Sequence, residues 1–178
     1  MSKAFTKDDD GGTELLVVPR APLPAGLPNY VTPRGLRALL SEQASLDRER
    51  AGLELEGSDR LARLNALTQR AADLQSRIST AEVVDAAAHP ASEVRFGALV
   101  RVRHEVGRES QHQLVGVDEA DAESGRVAFC SPLARALLGK RVGEVAELRT
   151  PRGVEELEVL AVGYVSDGNL QESEKVPK

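Results

Sequence analysis

The feature that most constrains this chain is a heptad seam. Leu64, Leu67, Ala71, Leu74, Ile78 and Ala81 follow one another at alternating steps of three and four, which stacks them into one apolar stripe along a helix. Arg63, Gln69, Arg70, Asp73 and Arg77 fill the outward positions. Such a stripe needs a partner, and one lies just upstream. Leu36, Leu39, Gln43, Leu46, Arg50 and Leu53 repeat the same steps, and five of the six present apolar or long aliphatic surface. Gly52 and Gly57 bracket residues 53–56, with Ser58 or Asp59 able to cap the second helix. Thr32-Pro33 is a start signal for the first, a cap oxygen followed by proline at the first helical position. The spacing predicts an antiparallel two-helix coiled coil over residues 29–85.

The period then changes. Residues 86–93 form a linker in which Pro90 prevents continuation of the helix. From Val94 the pattern is strand-like, with Val94, Phe96, Val100 and Val102 alternating with Arg95, Arg101 and Arg103. Further strands are predicted at residues 113–117, 126–130, 145–150 and 157–165, separated by turns at Gly107, residues 121–125 and Pro151-Arg152-Gly153. Ser131-Pro132 caps one short helix over residues 133–138, ended by Gly139. The fold class is α+β: a helical hairpin followed by a small, mainly antiparallel sheet module, residues 94–165, with one short helix on it. Residues 1–28, with Asp8-Asp9-Asp10 and Pro19, Pro22, Pro24 and Pro28, read as an extended acidic arm. Its apolar cluster at residues 15–18 is able to add an edge strand. Residues 166–178 read as a fraying polar tail.

Composition narrows the function. Only 3% of the chain is aromatic and there is no Trp, which disfavours stacking on single-stranded nucleic acid. The net charge of -5 argues against unaided wrapping of DNA, so any link to nucleic acid is expected to run through a partner. The single cysteine, Cys130, excludes an internal disulfide and a cysteine-based zinc cluster and suits a reducing compartment. No apolar run reaches membrane-spanning length, and the first residues are too polar for a signal peptide. A cytoplasmic protein is expected.

The candidate sites each have a plain structural reading. Cys130 looks like a small core residue and Phe96 and Phe129 like core rings. His89, His104 and His112 are too scattered for a metal site or a dyad, and Ser131 lacks a Gly-x-Ser-x-Gly setting. No catalytic residue is assigned. Asp118, Glu119, Asp121 and Glu123 form an acidic turn without EF-hand spacing, read as a solvated hairpin. On the short helix, Leu133, Leu137 and Leu138 make a core face, while Arg135, Lys140 and Arg141 occupy other faces and suit an acidic partner.

These segments carry a family resemblance. Asn29-Tyr30-Val31-Thr32-Pro33-Arg34-Gly35-Leu36, Ala81-Glu82-Val83-Val84-Asp85 and Val94-Arg95-Phe96-Gly97 belong to it. Most specific is Ser131-Pro132-Leu133-Ala134-Arg135-Ala136-Leu137-Leu138-Gly139-Lys140-Arg141-Val142-Gly143-Glu144, followed by Thr150-Pro151-Arg152-Gly153 and a strand ending at Tyr164. Over residues 29–165 the chain resembles the GreA/GreB family of bacterial transcript-cleavage factors. The resemblance implies a sheet module like the FK506-binding fold (FKBP-like), gripping RNA polymerase at its secondary channel through the segment holding Ser131, Pro132, Arg135, Lys140 and Arg141. It implies a coil that reaches toward the active centre, where two tip acids help hold a second Mg²⁺. It further implies a factor with no metal or cofactor of its own, the Mg²⁺ being shared with the polymerase, whose own site would cleave backtracked RNA.

The tip departs from the family. The usual Gly-Asp-x-Ser-Glu-Asn-Ala is absent, and counting back from Val83-Val84 puts Arg50 and Leu53 where its acids should lie. Glu54, Glu56 and Asp59 remain nearby, and Glu54 and Glu56 would project to one side of an extended turn. Helices of about 20 residues make a coil of roughly 30 Å, about four turns per helix short of the family's. The expected function is a Gre-like elongation factor that modulates the polymerase with or without stimulated cleavage. The alternative is a non-cleaving adaptor for the polymerase or for another protein such as nucleoside diphosphate kinase. A monomer is favoured, although Leu40 and Leu61 leave self-association open.

Overall fold

The computed structural model describes residues 20–53, 57–86, 89–166 and 169–174. The chain has a mixed α+β fold. Strand β1 (Asn29–Val31) leads into helix α1 (Pro33–Ala51), helix α2 (Gly57–Ser79) returns alongside, and β2 (Ala81–Val83) follows. Helix α1 starts where the sequence signals it: the Thr32 side chain accepts from Gly35 N at 3.0 Å with Pro33 in the first turn. The hairpin core consists of Val31, Leu39, Leu46, Leu67 and Leu74, with Leu36, Ile78 and Ala81 packed against it. Both seams therefore face each other, except that Arg50 is exposed. A cation at that seam position stays in water because desolvating it costs more than the heptad contact returns.

The base of the hairpin is tied by a pairing that periodicity does not reveal. Strands β1 and β2 pair in parallel, Tyr30 opposite Glu82, and Val84 N donates to Val31 O at 2.9 Å. The side chain of buried Asn29 adds a bond to Arg77 O at 2.9 Å across the same base.

Among the described residues the second module is a six-stranded sheet. Its strands are β3 (Ala98–His104), β4 (Glu109–Val115), β5 (Arg126–Ala128), β6 (Val145–Thr150), β7 (Gly153–Ser166) and β8 (Asn169–Glu174). The order is β5-β4-β3-β7-β6, with β8 also on β7. Strand β7 is long enough to pair β6 with its first half and β8 with its second. Helix α3 (Pro132–Leu137) sits on this sheet, capped by Ser131, whose side chain accepts from Ala134 N. The module's core includes Val100, Val102, Leu114, Leu137, Leu157, Val159 and Tyr164, each at most 1% exposed.

Two expectations of the sheet module are corrected, the start of its first strand and the fraying of its tail. The sheet is mainly antiparallel as expected, with β4 and β5 its parallel pair among the described residues. Its first strand begins at Ala98, not Val94, because Gly97 takes a positive φ of 84° that no extended strand allows. An added Cβ there would meet the Ala86 side chain at 2.2 Å. Residues 94 and 139–141 instead clasp each other, with Val94 N donating to Lys140 O and Gly139 N to Val94 O, both at 2.8 Å. Finally, the segment after residue 166 does not simply fray: β8 pairs with β7 over Asn169–Glu174. No helix among the described residues is long and apolar enough to cross a membrane.

Candidate functional site

Three regions hold the candidate side chains. At the hairpin tip, Glu54 and Glu56 lie outside the described residues; Asp59 falls in the first turn of α2, and its side chain also lies outside the description. The neighbouring described positions are cationic, with Arg48, Arg50 and Arg60 exposed and Arg63 bonded to Glu49 at 2.6 Å. The described part of the tip thus carries exposed guanidinium groups interleaved with the acids Asp47 and Glu49. Among the described residues no group of three His, Cys, Asp or Glu side chains is placed to hold a metal ion.

The second region is α3 and its exit. Ala134 and Leu137 are buried while Pro132, Arg135 and Arg141 are exposed and Lys140 is half-buried. Ser131 is occupied as a cap, accepting from Ala134 N at 3.2 Å. Arg141 keeps its backbone N–H on Glu144 at 3.0 Å and its guanidinium at 4.0 Å from Glu93, two-thirds exposed. The folded chain thus separates an apolar face, spent on the sheet, from a basic face turned to solvent.

The third region is the joint between the hairpin and the sheet module, which sequence reasoning missed. Tyr30 stacks obliquely on Phe96 and on Phe129, with ring centroids 5.6 Å apart in each case, and Phe96 meets Phe129 edge-on at 5.7 Å. Beside this cluster a short 3-10 turn, Val117–Glu119, presses against the start of α1. The acidic turn was expected to be solvated. Instead the Asp118 side chain is only 7% exposed and faces Arg20 at 3.1 Å and Arg77 at 3.7 Å. The Glu119 carboxylate accepts from Thr32 N at 2.9 Å and from the Thr32 hydroxyl. Arg20 also bonds Glu42, and Arg77 donates to Ala21 O. Burial lowers the Arg20 pKa, but the Glu42 and Asp118 carboxylates outweigh it and leave the guanidinium raised. A cleft of about 350 Å³ remains between the modules, lined by Arg20, Arg34, Glu42, Glu119 and Arg126 among others. Asp121, the next acid along, is held below its ordinary value by the Ser124 hydroxyl, against an opposing desolvation effect and with help from Arg126 and nearby backbone N–H groups.

Two of the scattered histidines, His104 and His112, come together, while His89 lies against Tyr164. His104 bonds Glu155 through Nδ1 at 2.6 Å and Ser110 through Nε2 at 2.8 Å, and Ser110 meets His112 Nε2 at 2.9 Å. Ser110 is thereby held between two imidazoles, whose tautomers set the direction of each bond. Burial, then the charges of His104 and Arg108, push the His112 pKa down. Cross-strand register could have found this group: counting out from the Gly107 turn sets Ser110 opposite Val102 and His112 opposite Val100, on the face His104 shares. Cys130 is half-buried and does not join the core.

Comparison with known proteins fits these modules. The family model for "Transcription elongation factor, GreA/GreB, C-term" matches residues 89–164. The transcription elongation factor GreB of Neisseria meningitidis serogroup B is 36% identical over 154 residues, 77% of this chain and 94% of that protein. The chain belongs to the GreA/GreB family. The GreA of Caulobacter sp. strain K31 is 44% identical over 97 residues, 54% of this chain and 62% of its own length. The chain spans about 60% of the length of such GreA relatives, 60% of that of Caulobacter vibrioides NA1000. The crystal structure of GreA factor homolog 1 of Thermus thermophilus covers 76% of this chain and 99% of its own, at 22% identity and a TM-score of 0.37.

Proposed function

We propose that this member of the GreA/GreB family is a transcription elongation factor that binds RNA polymerase beside its secondary channel and modulates elongation there, in the cytoplasm, as a monomer. The single observation that carries this reading is the match to the Neisseria GreB over 94% of that protein, hairpin and sheet module together. In this reading residues 29–85 are a coiled coil and residues 94–165 an FKBP-like module, joined by the linker at 86–93. Pro132, Arg135, Lys140 and Arg141 meet the polymerase, with Ser131 holding the helix that presents them. Contact with nucleic acid is made only through the polymerase complex.

The hairpin enters as a channel occupant. Helix α2 has 23 residues, about 35 Å, and Arg48 and Arg50 in the last turn of α1 with Arg60 in the first turn of α2 favour contact with phosphates over recruitment of a cation. Cleavage would require Glu54 and Glu56, with Asp59, to share the polymerase's Mg²⁺. The deciding experiment mixes the purified protein with a stalled, backtracked elongation complex and Mg²⁺, scoring co-elution and transcript shortening. Co-elution without shortening is expected. Shortening that disappears in Glu54→Ala/Glu56→Ala with binding retained would establish cleavage instead, and absence of co-elution would overturn the polymerase reading.

A further inference from the structure

We infer that Glu119 is the positioning residue of the joint: its carboxylate, seated on the first turn of α1, sets the direction in which the hairpin leaves the sheet module. The inference rests on the reading of the hairpin as the working end, because only then does its direction matter to function.

The carboxylate is held from both modules. Oε1 accepts from Thr32 N at 2.9 Å and from Gly116 N at 3.3 Å, and Oε2 accepts the Thr32 hydroxyl proton. That hydroxyl has one proton to give, so its lone pairs are left for Gly35 N, which it caps at 3.0 Å. Thr32 therefore serves as helix cap and as donor to the other module at once. A carboxylate at this end of a 19-residue helix also meets the positive pole of the helix dipole.

Two glycines make the approach possible. An added Cβ on Gly35 would lie 2.2 Å from Glu119 Cδ and 2.3 Å from its Oε1. At Gly116 it would lie 2.5 Å from Tyr30 O. The same 3-10 turn carries Asp118, which takes Arg20 from the segment before the hairpin and Arg77 from α2. Thus α1, α2 and the segment ahead of them are all fastened to Val117–Glu119. Because the hairpin is long relative to this joint, small rotations are amplified. Ala62, exposed on α2, is 17 residues from the helix end at Ser79, or about 25 Å. A tilt of about 10° would move it by about 4 Å.

The test is a pulsed electron paramagnetic resonance distance in the full chain, without polymerase. Native Cys130 is replaced (C130S) and nitroxides are placed at Ala62→Cys and Val106→Cys, the latter position 87% exposed in the β3–β4 turn. The parent should give one narrow distance, and Glu119→Ala should broaden it or shift it by about 4 Å or more. Gly35→Ala should do the same by displacing the Glu119 carboxylate without removing any charged group, although alanine is the better helix former. If Glu119→Ala fails to fold, Gly35→Ala decides alone. Variants that keep their helical content and the parent's narrow distance would overturn the inference. Since no polymerase enters the measurement, a failure of polymerase binding leaves this result standing, and the reverse also holds.

Discussion

Replacing Tyr164 by Phe removes one oxygen from the middle of the sheet module and leaves the ring in place. Tyr164 is 1% exposed on β7. Its hydroxyl donates to Glu93 O at 2.6 Å and accepts from Arg95 N at 3.0 Å, pinning the segment that enters the sheet. No apolar area changes, so the cost is that of the two hydrogen bonds. At about 1 kcal/mol net for each, the loss is about 2 kcal/mol, rising toward about 4 kcal/mol if both backbone groups stay dry. With a urea m-value of about 2 kcal/mol/M the midpoint should fall by about 1 M. Far-UV circular dichroism is the suitable probe, because the chain has no Trp. The same hydroxyl makes an alkaline signature. Burial raises its pKa above the usual tyrosine value. The folded state thus keeps a proton that the unfolded state releases, so its contribution is complete below pH about 10 and is lost as pH rises through the folded value. Tyr164→Phe should lack that component. A midpoint change worth less than about 0.5 kcal/mol would refute the reasoning, since water would then be replacing the hydroxyl at both backbone groups.

Two further outcomes follow from buried groups elsewhere. His112 has its folded pKa depressed by burial and by His104 and Arg108; its contribution is therefore present above about pH 6.5 and is lost as pH falls through the depressed value. His112→Gln should flatten the acid limb of the melting-temperature profile between about pH 5 and 7. Leu74 is fully buried in a hairpin core that has five buried members among the described residues, so Leu74→Ala should cost about 2–5 kcal/mol. It should lower the helical signal in urea titrations, and an unchanged midpoint would mean that the two seams do not pack as described.

Local chemistry made much of this chain legible in advance. The heptad steps placed Leu39, Leu46, Leu67 and Leu74 on facing stripes, and Thr32-Pro33 and Ser131-Pro132 marked two helix starts, because periodicity and caps depend on residues a few positions apart. Alternation found β6 at the expected residues and most of β7. The family motifs around Ser131 to Glu144 are likewise contiguous, so they could be read without coordinates. What the sequence could not disclose has a common cause in long separations along the chain. Thr32 and Glu119 are 87 residues apart, Tyr164 and Glu93 are 71, and His104 and Glu155 are 51. An acid such as Asp118 or Glu119 looks solvated until the fold brings a helix start and two guanidinium groups to it, because its energy depends on partners that only the packed chain supplies. The sequence by itself determined the helical hairpin, the strand-rich module and the family. The tertiary structure alone decided how the two are joined, because that contact is made by side chains whose neighbours no local pattern specifies.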